Sequence, residues 1–239
     1  MSEPKNRVVL ITGAAGGLGQ ELVKTFAGQG WRVAASYHSA TTESPSETVW
    51  PVALDVTSRD AVEAVLRGVI ERWGRIDALI NNAGLTIDAN MAQLKEVDWD
   101  QVLAVNLKGA YLCAQAALRP MIKQREGHII NISSWSGRAG ARGQSAYGAA
   151  KAGLYGLSAA LAREVGSRNV RVNAVLPGIL PTKMTRELSG EQIESLAAAN
   201  ALGRINSLEE VARCVAFLTT TQNISGQIFQ LDSRIAPWS

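Results

Sequence analysis

Tyr147 stands four residues before Lys151 in the stretch SAYGAAKAG (145–153), with only glycine and alanine between them. Residues i and i+4 share a helix face, so this spacing sets a phenol beside an ammonium. A free tyrosine titrates near pH ~10, too high for ready proton exchange at neutral pH, and an adjacent cation favours the phenolate. The pair is a candidate for moving a proton to or from an oxygen, and Gly148, Ala149 and Ala150 keep the face open to ligands. Tyrosine and lysine at this spacing also decorate many solvated helices, so the pair takes its meaning from what accompanies it.

A second candidate lies near the start of the chain, in TGAAGGLGQELVKTFAGQG (12–30). Gly13 suits a tight turn, Gly17 lets backbone approach a pyrophosphate, and Gly19 permits close packing. The helix that follows offers unpaired N–H groups to an anion. A flexible glycine turn between two elements is the plain alternative, but the position directly after a strand points to a nucleotide. The spacing from Thr12 to Gly19 is T-G-x-x-x-G-x-G, which differs from G-x-G-x-x-G.

Both stretches need a scaffold, and the pattern supplies one. Short apolar, β-branched runs at 7–12, 31–36, 49–54, 76–81, 127–133, 170–176 and 226–231 alternate with helix-length segments at 17–28, 58–73, 98–124, 145–166 and 207–220. Nearly continuous apolar strands separated by helices predict a mainly parallel seven-stranded sheet covered on both faces, a doubly wound α/β domain of Rossmann type over 1–239. The Ser/Thr/Pro-rich run 38–49 reads as a loop. Residues 177–200 are irregular and end in a helical pattern, SGEQIESLAAAN, so about 179–200 is expected to form a lid over a site.

Composition excludes several other classes. The 239 residues are 46% hydrophobic with a net charge of +3, enough for one core and without a basic stripe for nucleic acid. Cys113 and Cys214 lack metal-ligand spacing and read as reduced core residues, so no metal site is expected. The chain shows no apolar run of transmembrane length and no signal-peptide pattern, so a cytoplasmic protein is expected.

Seven motifs in order, TGAAGGLG, LDV (54–56), NNAG (81–84), VNLKG (105–109), INISS (130–134), YGAAK (147–151) and PGILPT (177–182), make the chain resemble the short-chain dehydrogenase/reductase family over its whole length. NNAGLTID and the run from Ala146 to Ile179 are most similar to 3-oxoacyl-[acyl-carrier-protein] reductases. The resemblance implies a catalytic tetrad of Asn106, Ser134, Tyr147 and Lys151. In it the tyrosine exchanges the proton and the lysine holds its phenol towards the ionised form while reaching a nicotinamide ribose. The serine donates to the substrate oxygen, and the asparagine holds a water. A nicotinamide cofactor would bring the hydride, which the protein only has to place. Trp135, beside Ser134, is either a wall of the substrate pocket or a packing residue.

By the same resemblance, Thr12, Gly13, Gly17, Leu18 and Gly19 would hold the pyrophosphate, and Asp55 and the main chain of Val56 the adenine. Asn82, Ala83 and Gly84 would line the adenosine side, with Pro177, Gly178, Ile179 and Thr182 near the carboxamide. An NAD enzyme usually carries an acid after the second strand. Here Tyr37, His38 and Ser39 stand in its place, which favours NADP(H), although Gly16 replaces the basic residue found in many NADP-dependent relatives. Arg125 and Arg168 match two arginines that hold an acidic acyl carrier protein at the active-site entrance in related reductases, and each also lies at a helix end, where a cation complements the macrodipole.

Two features depart from the family. The segment 38–49 is too short for the usual helix, and Ser233 and Arg234 replace the two glycines that normally follow the last strand. That region packs at a tetramer interface in relatives, so a homo-oligomer, dimer or tetramer, is expected with an altered end. The leading expectation is NADPH-dependent reduction of a 3-oxoacyl thioester on a carrier protein. The alternatives are the same chemistry on a free steroid, sugar, quinone or pterin, and a non-enzymatic NADP-binding regulator.

Overall fold

The computed structural model describes residues 6–38, 46–182, 185 and 189–235. Seven strands, β1 (Val8–Ile11), β2 (Arg32–Tyr37), β3 (Val49–Ala53), β4 (Ala78–Asn81), β5 (Gly127–Ile132), β6 (Val170–Leu176) and β7 (Ile228–Gln230), form one sheet in the order β3-β2-β1-β4-β5-β6-β7. Every pairing is parallel. The strand runs read from the sequence are all present, and the sheet is wholly rather than mainly parallel.

Alternation along the strands feeds two cores. Val9, Ile11, Val33, Ala35 and Ile80 pack on one face against α1 (Gly17–Gly28) and α8 (Leu208–Leu218). Val8, Leu10, Ala34, Leu79 and Ile129 pack on the other against α2 (Arg59–Trp73) and α4 (Gly109–Gln124). The central strands are buried throughout, whereas edge strand β3 is only half-buried and carries Pro51, a residue that an edge tolerates. Cys113 is buried among these residues, and burial pushes its thiol up to about 12, so it is inert.

The long segment 98–124 resolves into three pieces of one rod: α3 (Glu96–Leu103), a π turn (Ala104–Lys108) and α4. Four-residue α5 (Ser136–Ala139), too short to leave a periodic trace, precedes α6 (Ser145–Val165), and α7 (Gly190–Ala198) lies in the expected lid segment. Ser189 caps α7 through a reciprocal capping box with Gln192. No helix among the described residues is long and apolar enough to cross a membrane, and none of these residues form a metal-holding cluster.

Candidate active site

Strand order reverses between β1 and β4, and the loops leaving their C-terminal ends meet there, the crevice where parallel sheets bind ligands. Gly13 is in the left-handed region at φ +67, and a Cβ on it would come within 2.7 Å of the Ala83 backbone. A Cβ on Gly19 would stand 2.2 Å from the Gly13 carbonyl, so the start of α1 packs against the turn as closely as glycine allows. Thr12 lies buried beneath. Its hydroxyl accepts from the Asn82 and Ala83 N–H groups, both at 3.0 Å, while Asn82 Nδ2 donates to the Thr12 and Gly13 carbonyls. Thr12 and Asn82 therefore lock the two loops together.

Beside this turn lies a cavity of ≈ 520 Å³, lined by Gly13, His38, Asp55, Val56, Ala83 and Gly84 among others. Asp55 Oδ1 accepts from both the N–H and the hydroxyl of Thr57, at 2.8 and 2.7 Å, and these bonds hold its carboxyl below the usual range. Tyr37 is buried and His38 exposed, while Ser39 lies outside the described residues. Leu18 is buried at the start of α1, and Gly17 abuts Thr182, where a Cβ would meet Cγ2 at 3.2 Å. The segment after β6 thus reaches back over the helix N-terminus. Its first residues are pinned by Asn206, whose Nδ2 donates to the Pro177 carbonyl at 2.9 Å and whose N–H donates to that of Ile179 at 3.0 Å.

Asn106 sits within the π turn. Its Nδ2 donates to the Leu85 carbonyl at 2.7 Å and to the Val102 carbonyl at 2.9 Å, an acceptor that an unbroken α-helix would give to a backbone N–H. Its Oδ1 is buried without a hydrogen-bond partner. A Cβ on Gly84 would lie 2.7 Å from that oxygen and 3.5 Å from Lys151 Nζ, so both groups border one small space that glycine keeps open.

Lys151 is buried, and Nζ donates to the Ile132 carbonyl at 2.8 Å. Desolvation brings its pKa down to about 8. The ammonium lies 5.5 Å from the centroid of the Tyr147 ring. Burial first of all raises the Tyr147 pKa, the Ser134 hydroxyl opposes that, and Asp88 and Tyr155 add to the rise.

Ser134 is placed by a chain that its sequence neighbourhood does not reveal. The Ser136 N–H donates to Ser134 Oγ at 3.2 Å, and Ser136 Oγ donates to Gln144 Oε1 at 2.8 Å. Gln144 Nε2 then donates to the Asp88 carboxylate at 3.1 Å. Because the Ser134 oxygen accepts from a backbone N–H, its own proton is left to point elsewhere. Below, Ser133 Oγ donates to the Lys151 carbonyl at 2.8 Å, and Asn131 Nδ2 donates to Ser158 Oγ at 2.8 Å, fastening β5 to α6. Of Ser136, Gln144 and Asp88, only Asp88 falls in a stretch singled out in the sequence, NNAGLTID.

The structure brings Asn106, Ser134, Tyr147 and Lys151 to the C-terminal edge of the sheet beside the glycine turn, with Trp135 next to them. It does not bring Arg125 or Arg168 there. Arg125 caps the C-terminus of α4 immediately before β5, and Arg168 ends the short 3-10 turn Gly166–Arg168 before β6. Both therefore lie at the strand starts, about 20 Å along a six-residue strand from Ser134. Arg125 Nη2 donates to the Ser167 carbonyl at 3.3 Å, so the two neighbour each other as helix-end cations.

Residues 7–193 match the family model described as short chain dehydrogenase. The "3-oxoacyl-[acyl-carrier-protein] reductase FabG" of Thermotoga maritima is 41% identical over 238 residues, 95% of this chain and 97% of that one. The protein of the same name from Escherichia coli is 37% identical over 91% of each chain. Among solved structures, "ElxO with NADP Bound" superposes with a TM-score of 0.89 at 28% identity, covering 95% of this chain and 98% of the other.

Proposed function

Because the chain belongs to the short chain dehydrogenase family of oxidoreductases, we propose that it reduces the 3-oxo group of an acyl thioester to the 3-hydroxy product, with NADP(H) as the redox partner. The observation that carries this reading is the convergence of the Ser134 hydroxyl, the Tyr147 phenol and the buried Lys151 ammonium beside the glycine turn.

The residues fit the cofactor. The glycine turn presents backbone and the α1 N-terminus where a pyrophosphate is expected, and the adjoining cavity carries the Asp55 carboxylate, with Oδ2 not used by either Thr57 bond. Tyr37, His38 and Ser39 stand where an acid would follow β2, and His38 lines the same cavity, which supports a 2′-phosphate. Val56 and Ala83 would flank the adenosine, and Thr182, Pro177, Gly178 and Ile179 the carboxamide end. These residues would hold NADPH with its nicotinamide toward the tetrad, where it would supply the hydride for the carbonyl carbon.

This chain's own groups manage the oxygen. Ser134 donates a hydrogen bond to it and fixes its position, while Tyr147 gives up its phenolic proton as the C–O bond gains electrons. The phenolate then formed is what the Lys151 charge stabilises. Asn106 Oδ1, buried and unpartnered, suits a water beside Lys151 through which the proton is replaced. The segment around α7 serves as the lid that excludes solvent.

The carrier protein is supported by the names of the relatives. Arg125 and Arg168 lie on the other edge of the sheet, so they would hold a carrier only across an assembly of two copies, and the homo-oligomer is part of this proposal. The test is consumption of NADPH and NADH with an acetoacetyl thioester, free and carrier-bound. NADPH use with both, and loss of only the carrier-bound rate in Arg125→Glu, supports the full reading. Turnover of small ketones alone replaces the thioester with a free carbonyl.

A further inference from the structure

Ser233 and Arg234, which depart from the Asp-Gly-Gly pattern of the family that the sequence resembles, make side-chain contacts that glycine cannot. The Arg234 guanidinium stacks on the Trp135 indole, 4.3 Å from the ring centroid, at the residue next to Ser134. Its Nε donates to Asp232 Oδ2 at 2.6 Å, and Nη2 forms an ion pair with the same carboxylate. Both side chains are withdrawn from solvent, at 10% and 2% exposed. A desolvated cation over an indole is held more firmly than an exposed one.

The cluster is tied on three sides. Asp232 packs under Gly178, where a Cβ would come within 2.8 Å of Oδ2, so the carboxylate supports the turn after β6. Gln230 Nε2 donates to Asp232 Oδ1 at 2.7 Å and to the Arg234 carbonyl at 2.6 Å. Arg138 in α5 lies 5.8 Å from the same indole and donates to Gln230 Oε1 at 3.3 Å. Ser233 faces the other way. Its carbonyl accepts from the Ala201 N–H at 3.0 Å and its hydroxyl from the Leu202 N–H at 3.1 Å, on the chain leaving α7.

We infer that Arg234 is a positioning residue for the substrate: it clamps Trp135 as the wall beside Ser134, and Ser233 couples that wall to the chain leaving α7. The segment 232–234 thereby selects which acyl groups enter. Two glycines would supply neither the cation nor the hydroxyl. The inference rests on the carbonyl reduction proposed above, because it needs a substrate lying beside Ser134.

The test compares Arg234→Gly, Arg234→Lys, Trp135→Ala and the double variant Arg234→Gly with Trp135→Ala, using acetoacetyl and longer 3-oxoacyl thioesters. Arg234→Gly is expected to raise KM for the longer substrate about tenfold while kcat stays within about twofold and the Kd for NADPH is unchanged. Arg234→Lys recovers part of the loss. The double variant is no worse than Trp135→Ala, because the arginine acts through the indole. Unchanged KM for both thioesters in Arg234→Gly, or additive losses in the double variant, overturns the inference. So does a KM change matched by weaker NADPH binding, which moves the effect to the Gly178 turn. Should Arg234→Gly unfold, Arg234→Lys carries the same comparison. A wild type that turns over no thioester refutes the thioester reading instead, and the KM ratios are then taken on the ketone it does reduce.

Discussion

Lys151 ends on the carbonyl of Ile132, 2.8 Å from Nζ, and its ammonium lies 5.5 Å from the centroid of the Tyr147 ring. Burial costs this ammonium proton affinity, so its pKa falls to about 8. The charge is present below that value and disappears as pH rises through it. For reduction, kcat/KM is therefore expected to decline above pH ~8, in the free enzyme's profile. A rate that holds level to about pH 10 would remove the ammonium from the reaction.

Tyr147→Phe deletes the phenolic proton and leaves the ring. The rate should drop by about 10²–10⁴-fold, the usual worth of a positioned general acid, with NADPH affinity kept. Single-turnover reduction read by nicotinamide absorbance makes the comparison. A drop below about tenfold would point to a different proton donor.

Gln144 is the middle link between the Asp88 carboxylate and Ser136, whose N–H orients Ser134. Gln144→Ala should loosen Ser134 and lower kcat roughly tenfold, with Gln144→Glu retaining the acceptor for Ser136 but setting a second carboxylate against Asp88. If kcat in Gln144→Ala equals that of wild type, the chain does not orient the serine.

His128 is buried on β5, and burial, then Arg171 and Arg7, push its pKa down to about 3. Unfolded histidine titrates near 6.5, so below that pH only the unfolded chain takes up the proton. This group's contribution is complete above pH ~6.5 and declines by about 1.4 kcal/mol per pH unit on acidification to about 3. Unfolding free energies from urea titrations at pH ~7 and ~5 should differ by about 2 kcal/mol more in wild type than in His128→Leu. Equal acid losses in the two proteins would contradict the assignment.

Gly19 and Gly156 offer a contrast within one chain. A Cβ on Gly19 would collide with the Gly13 carbonyl at 2.2 Å, whereas at Gly156, inside α6, nothing lies within 4 Å. Gly19→Ala should abolish NADPH binding, measured by nicotinamide fluorescence, and lower Tm. Gly156→Ala should raise stability by about 0.5–1 kcal/mol.

The strands and the glycine turn were legible because each is written locally, as continuous apolar runs and glycines at fixed spacing, and Tyr147 and Lys151 stood out as an i, i+4 pair, whereas Asn106 and Ser134 were named only through the resemblance. The site's supporting bonds were not legible. Asp88, Gln144 and Ser136 come from three separate segments, and Arg234 meets Trp135 only after the sheet brings the chain's end back over β6. Arg125 was named through the resemblance alone, and its place in the fold was not legible. It stands near Ser134 in sequence, but the strand between them carries it to the opposite edge. Strand direction, which no local pattern states, decides that.

The π turn at Ala104–Lys108 also has a geometric consequence. Its backbone closes from the Gly109 N–H to the Ala104 carbonyl, one residue wider than an α-turn. That surplus residue shifts the angular phase of everything downstream by about 100°, since an α-helix advances that much per residue. The face of α3 and the face of α4 are thus out of step along one continuous rod. Removing any one residue from the turn would restore the phase, yet it would swing either the packing face of α4 or the carboxamide of Asn106 away from its place. The chain's length between Leu103 and Gly109 is therefore as fixed a requirement of this site as the identity of any residue in it.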